Sequence, residues 1–322
     1  MNLLQSHEGD GYPTEYLIAR IRGRRAYLVK DWNNFLFNPD APDAFLPVYY
    51  RELMAEYSGE GVWKRMLKEY RWIYFQMNSS LRNVFLPFFM YSEVKTIILC
   101  LRYKAGKESR SDVESLLSYS LLAGKVKELL MKEAELPVII EELEKKFLSL
   151  KATSRGMEET FSEEGLKGVE EDLSNGFMED MIRSKLHPVI KSFFAFLTDT
   201  KNIMFLYKHS RWEIKSEPAF LNGGNIDSES LKRTSKGSSI SGILRLIYQL
   251  TGVRITEPRI TDIQNALNTG MTKHIKGMSR ENPDIGLILD YLWKTCMEAR
   301  NLSILFYGRD IEREYIKKEL VI

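Results

Sequence analysis

Several stretches of this chain hold residue types that could do chemistry, and each makes a definite demand on its surroundings. The Gly106-Lys107 pair in AGKES would cradle a phosphate if a glycine stood five residues earlier and a Ser or Thr followed the lysine. Leu101 and Glu108 occupy those places, so the stretch reads as a helix-ending turn. Asn222, Gly223 and Gly224 read as a turn too, since no strand-glycine-helix unit surrounds them. His7, His187, His209 and His274 are scattered, with neither an H-x-x-x-H spacing nor a Cys/His cluster. No zinc site is expected from them. Acids are abundant, yet no pair separates itself from the solvated background as an acid/base couple. The reading is of a chain with no catalytic residue, no metal and no cofactor.

The sharpest basic cluster is ARIRGRR, with Arg20, Arg22 and Arg24 on alternate positions. Trp63, Tyr70, Trp72 and Tyr74 could supply stacking surfaces, and a helical RNA-binding protein would use that combination. At helical spacing such aromatics belong more naturally to a core. Forty-six Lys and Arg against 44 Asp and Glu leave a net charge of +2. Such a balance recommends neither nucleic acid nor anionic lipid as a partner. RNA binding therefore stands as the alternative reading only.

A second pattern occurs three times. SEVKTIILCLRYK from Ser92, TDTKNIMFLYKHS from Thr198 and MEARNLSILFYGR from Met297 share one order of residue types. Each has an acid (Glu93, Asp199, Glu298), a base two residues later (Lys95, Lys201, Arg300), then Thr96, Asn202 or Asn301, then an apolar run. The copies lie about 100 residues apart, too far for a solenoid and suited to a small domain. On a helix, residues i and i+2 point about 200° apart, so acid and base cannot pair within it and each must meet solvent or a neighbouring element. The repetition predicts three related helical units, 1–110, 111–211 and 212–322.

The elements that must carry these residues are helices. With 322 residues, 44% of them hydrophobic and 28% charged, the chain can bury a substantial core. Three-and-four apolar spacing predicts helices over Tyr16 to Leu28, Leu46 to Met54, Val62 to Phe75, Ser92 to Tyr103, Val113 to Leu122, Lys125 to Ala134 and Val138 to Leu150. It continues through Met181 to Leu197, Asn202 to Lys208, Ser241 to Leu250, Ile285 to Phe306 and Ile311 to Leu320. Pro283 stands near the start of one helix, and Gly308 follows its end, where a left-handed cap is expected. Glu141 to Asp172 reads as solvated helix faces, Val253 to Thr256 as one short extended piece, and breaks are expected at Asn38 to Pro47, Leu221 to Asn225 and Thr234 to Ser239. Cys100 and Cys296 sit in apolar helical patterns, consistent with a reducing, cytoplasmic setting. The N-terminus carries no signal-peptide pattern, and no stretch holds the roughly 18 uninterrupted apolar residues of a membrane span.

YLIARIRGRR near the N-terminus, EPAFLNGGNIDSESLKR in the centre and DYLWKTCMEARNLSILFYGRDIEREYIKKEL at the C-terminus, with the threefold repetition, resemble the C subunit of V-type and archaeal-type rotary ATPases, the counterpart of the d subunit of eukaryotic V-ATPases. Tyr291, Leu292, Glu298, Arg300, Asn301, Leu302 and Gly308 follow the order of that family's C-terminal helix, as Pro218, Phe220, Gly223 and Gly224 follow its central turn. Thr295 and Cys296 stand where Lys and Glu are usual, and the central unit lacks the usual glycine after its helix. The resemblance implies an all-α, funnel-shaped protein of three similar units about a pseudo-threefold axis. It also implies a non-catalytic rotor subunit that joins central-stalk subunits of the D and F types to the membrane proteolipid ring, peripheral to the membrane on its cytoplasmic side. Arg20, Arg22, Arg24, Lys95, Lys201 and Arg300 are the candidate partner contacts.

Overall fold

The computed structural model describes residues 3–6, 9–37, 59–106, 110–147, 156–212, 219–237, 240–256, 258–308 and 310–321. His7, Lys107, Pro218, the break at Asn38 to Pro47 and the helix expected over Leu46 to Met54 lie outside them. The described residues are helical throughout and contain no strand; Leu4 and Leu122 form one isolated antiparallel bridge. The chain is all-α. In order the helices are α1 (Thr14–Arg24), α2 (Trp32–Phe37), α3 (Gly59–Gln76), α4 (Ser79–Ala105), α5 (Arg110–Leu117), α6 (Gly124–Met131) and α7 (Leu136–Phe147). Then follow α8 (Met157–Arg183), α9 (Pro188–Arg211), α10 (Ser228–Lys236), α11 (Ile240–Thr251), α12 (Ile260–Glu281), α13 (Ile285–Tyr307) and α14 (Arg313–Glu319). They form two compact units, one of Met1–Gly11 with Tyr70–Phe194, the other of Tyr12–Glu69 with Ala195–Ile322.

In the first unit α4 is the central helix, contacted by α5, α6, α7 and α8. Asn78 starts it by accepting the Leu81 N–H at 2.9 Å, which satisfies one of the donors a helix N-terminus leaves unpaired. Phe85, Phe88, Phe89, Val94, Ile97, Cys100 and Leu101 are buried along it. Tyr70 and Phe193 meet Phe88 edge-on or tilted, with ring centroids 5.6 Å apart in each pair. By length and composition α4 could cross a membrane, with a mean hydropathy of 1.7 over its most apolar window, but 56% of that window is buried among the protein's own helices. The apolar stretch is therefore accounted for as a core helix. The N-terminus is pinned to the same unit, with Gln5 N–H donating to Leu121 O and Ala123 N–H to Leu3 O, each at 2.8 Å.

In the second unit α12 and α13 form the main packed pair, α11 lies against α12, and α1 lies against α13. Ile203, Leu206, Tyr207, Leu231, Ile247, Ile263 and Leu267 make one core cluster, on which Val253 and Ile255 of the extended piece also pack. Trp32, Leu36, Leu302, Leu305, Ile316 and Leu320 make a second, which ties α2 and α14 to the end of α13.

The helix expected from Ser92 begins at Ser79, that expected over Asn202 to Lys208 is the second half of α9, and α2 and α10 were not expected. Three further differences have identifiable reasons. The helix expected over Met181 to Leu197 is two helices, because Ser184 is extended and the residues leading into Pro188 leave the helical region before that proline opens α9. α12 went unpredicted, since its buried stripe runs through Asn265, Ala266 and Gly270 as well as Ile263, Met271 and Ile275 and so carries a weak apolar signal. Gly308 ends α13 with φ −93°, not in a left-handed cap. A Cβ there would meet Ile304 O of α13's own last turn at 2.8 Å, with Ile316 Cδ1 of α14 behind it at 3.1 Å, so the close backbone carbonyl is what requires glycine.

Candidate functional site

The repeated pattern resolves into three buried carboxyls that hold backbone. Glu93 on α4 accepts the Leu121 N–H and the Ser120 hydroxyl, each at 2.7 Å. Lys127 grips the same loop from the carbonyl side, donating to Leu117 O at 2.9 Å and Ser120 O at 2.6 Å. Asp199 on α9 accepts the Asn225 N–H at 2.8 Å and the Ile226 N–H at 3.0 Å. Glu298 on α13 accepts the Val29 N–H at 2.6 Å. Burial pushes all three carboxyls above the ordinary range, while the N–H groups they accept pull the other way. For Glu298 burial dominates, and its pKa rises to about 8.

The residue three positions after each acid extends the device. Asn202 accepts the Leu221 N–H at 2.9 Å and donates to the same residue's carbonyl at 2.8 Å. Asn301 does the same to Val321, at 3.0 and 2.8 Å. In the second copy an acid and an amide one helical turn apart on one buried face thus clamp a returning strand of chain at two points, whereas in the third they hold two separate segments, at Val29 and at Val321. Thr96 takes the amide's place in the first copy; its hydroxyl is within reach of Glu93 and of Ser92 O on its own helix, at 3.4 Å from the latter. The turn at Gly223 and Gly224 is built around this clamp: Gly223 has φ +84°, and a Cβ on Gly224 would lie 2.1 Å from Asp199 Oδ1.

The bases of the pattern point elsewhere, as the i, i+2 geometry requires. Lys95 is exposed, with its ammonium 4.3 Å from the centre of the Tyr91 ring. Lys201 is half-buried on α9. Arg300 is turned inward, donating to Asn265 Oδ1 at 2.6 Å and to Glu319 O at 2.9 Å, which fixes α14 against α12 and α13.

The arginine cluster divides along the two faces of α1. Arg24 makes a paired bond to Glu69, both distances 2.6 Å, and Tyr291 donates its hydroxyl to Glu69 at 2.7 Å. Arg25, the last residue of the same basic cluster but not among the candidate contacts, donates at 2.5 Å to Asp290, a carboxylate 1% exposed that also accepts from Lys294 at 2.8 Å. Arg22 is exposed and Arg20 half-buried, its guanidinium 5.7 Å from the centre of the Tyr16 ring. Tyr70 and Tyr74, candidates for stacking on RNA, are core residues.

Little in these residues is suited to hold a small molecule. Among the described residues no group of three His, Cys, Asp or Glu is placed to bind a metal. The His187 imidazole accepts the Val189 N–H, and His274 stacks on Phe196. Cys100 is buried, and burial raises its thiol pKa to about 12, far from the reactive range. Asn265 and Lys127 escape sequence reasoning because nothing local marks them; each works on a segment away from its own helix.

Fold and site together define a class: a helical scaffold whose buried polar groups brace its own backbone across long sequence separations. Residues 17–319 match the profile of the ATP synthase (C/AC39) subunit, and this chain belongs to that family, the C- or d-type subunits of the V- and A-type rotary ATPases. No curated protein matches the chain.

Proposed function

We propose that the chain is a non-catalytic rotor subunit, seated on the membrane proteolipid ring at its cytoplasmic side and holding the D- and F-type subunits of the central stalk. The family match over 17–319 is the observation that carries this reading. The clamps support it. A part that passes torque must resist shear between helices, and a charged or amide side chain bonded to buried backbone resists sliding in a way that apolar contact alone does not. The chain is taken as three related units, 1–110, 111–211 and 212–322, about a pseudo-threefold axis; the shared burial of Glu93, Asp199 and Glu298, each bonded to a backbone N–H, supports the relation. Lys95 and Lys201 and the outward arginines Arg20 and Arg22 are the partner-facing cations, whereas Arg24 and Arg300 serve the fold.

Purification of the tagged full-length chain from gently solubilised membranes tests the reading. Stalk and proteolipid-ring subunits are expected in stoichiometric amounts with it. Recovery of the tagged chain without stalk and ring subunits would overturn the proposal.

A further inference from the structure

A net charge of +2 conceals a local asymmetry. From Leu231 to Thr256 the chain holds five bases, Lys232, Arg233, Lys236, Arg245 and Arg254, and no acid. Glu229 and Glu257 stand on either side of the run. Glu229 is met by Lys232 at 3.5 Å, and Asp262, the first acid of α12, is taken by Arg259 at 2.7 Å. Among the described residues no carboxylate pairs with Lys236, Arg245 or Arg254. The fold turns these cations outward for local reasons. Ile243, Leu246 and Ile247 hold one side of α11 in the core, which at about 100° per residue leaves Ser241, Arg245 and Tyr248 on the opposite, exposed side. Gly252 has φ +69° and donates its N–H to Tyr248 O at 2.8 Å, so the helix ends in a left-handed turn. Beyond it Val253 and Ile255 pack on the core, and Arg254, between them in extended chain, faces out. Its guanidinium lies 5.4 Å from the centre of the Tyr248 ring. Arg245 and Arg254 thus meet at one ring, which is 46% exposed. α10 lies alongside, close enough that a Cβ on Gly242 would come within 3.0 Å of Thr234, and it adds the exposed Lys236 at its end.

We propose that this face of α11 adsorbs directly to the headgroups of an anionic lipid bilayer, a contact beyond the rotor reading, which brings the chain to the membrane only through the ring. Unpaired Lys and Arg on a surface free of acids are attracted to an anionic leaflet without any pocket to enclose a ligand. Tyr248 supplies a ring with an apolar body and a polar tip, suited to the headgroup level. A protein partner would need an apolar core to its interface. Among the described residues from 231 to 256, Tyr248 is the one exposed aromatic or aliphatic side chain. Single-stranded nucleic acid would call for several rings on which successive bases stack, and the face has one. The chain belongs to a subunit family of membrane-bound ATPases, so a bilayer is the extended anion within its reach.

Co-sedimentation of the purified full-length chain with vesicles of phosphatidylcholine containing about 30% phosphatidylglycerol tests the contact. The chain is expected in the pellet at low salt. It should stay in the supernatant with phosphatidylcholine alone, and return there from the anionic vesicles at about 0.5 M salt. Arg245→Glu with Arg254→Glu should weaken adsorption by about thirtyfold or more. The melting temperature of that variant should remain near the parent's, since neither arginine has an ion-pair partner to lose. Arg245→Lys with Arg254→Lys keeps both charges and should keep the adsorption. The same two-charge reversal at Lys167 and Lys185, in and just after the acid-rich α8, should change it little. No binding to the anionic vesicles, equal binding to the neutral ones, loss in the lysine pair, or equal loss from the two reversals overturns the lipid contact. None of those outcomes touches the rotor reading, which is tested by the subunits recovered with the chain.

Discussion

At Glu298 two effects act on one carboxyl, and burial wins. The folded chain holds a proton up to about pH 8 that the unfolded chain, with an ordinary value of 4.5, has released. The stabilisation from this group is therefore complete below the unfolded value and is lost as pH rises through the folded one. Glu93 and Asp199, also raised by burial, add to the same slope. The melting temperature should fall steadily from about pH 5 to about pH 8. Glu298→Gln keeps an acceptor oxygen for the Val29 N–H but cannot ionise, so the variant should show a shallower decline; parallel curves would mean the carboxyl is not protonated in the fold. Asn301 makes a different prediction. Its removal in Asn301→Ala leaves the N–H and the carbonyl of Val321 without their bonds, which should cost about 2–4 kcal/mol in denaturant unfolding, with Asn202→Ala showing a similar loss through Leu221. Arg300→Glu should likewise be a folding defect before it is a binding defect, since it would set a carboxylate against Asn265 Oδ1 and Glu319 O.

Helices and turns here are shaped by where chain must pass close to chain. Two glycines separate close approach from backbone conformation. Gly165 interrupts α8 with φ +70° and ψ −162° and open space around it, so Gly165→Ala should cost only the strain of a backbone region that glycine alone adopts readily, about 1–3 kcal/mol. Gly224→Ala has nowhere to put its methyl except into the Asp199 carboxylate, 2.1 Å away, and so should also dislodge the clamp at Asn225 and Ile226. Its loss in denaturant midpoint should exceed that of Gly165→Ala; the reverse order would show that the turn can shift away from Asp199 without penalty.

For the molecule as a whole, the division of the chain matters most. The second unit is assembled from residues at both ends, Tyr12–Glu69 and Ala195–Ile322. Three polar contacts fasten those stretches together: Arg24 and Tyr291 to Glu69, Arg25 to Asp290, and Val29 to Glu298. The third acid of the repeat thus takes its backbone partner from the N-terminal stretch, where the first two take theirs from residues downstream. Replacing Arg24 and Arg25 by alanine removes the guanidinium partner of Glu69 and of the buried Asp290, leaving them Tyr291 and Lys294, and hydrogen exchange within α13 should speed up by about tenfold or more. Exchange within α4, in the other unit, should not change. Equal acceleration in both would show that the chain opens as one cooperative body.

The residues alone determined the class of fold and the family. Apolar spacing reads α3, α11 and α13 nearly to the residue, and the order acid, base, amide identifies the repeat because side-chain type and helical phase are local properties. Most of the ARIRGRR stretch was legible as a basic cluster, but its split into two inward and two outward arginines was not. That split depends on which side of α1 meets α13, and α13 lies more than 250 residues further along. The same holds for the carboxyls. From the sequence, Glu93, Asp199 and Glu298 are charges that cannot pair within their own helices; that each closes on backbone N–H groups is decided only by the tertiary structure, where burial makes an unbonded polar group costly and leaves the returning chain one place to bond.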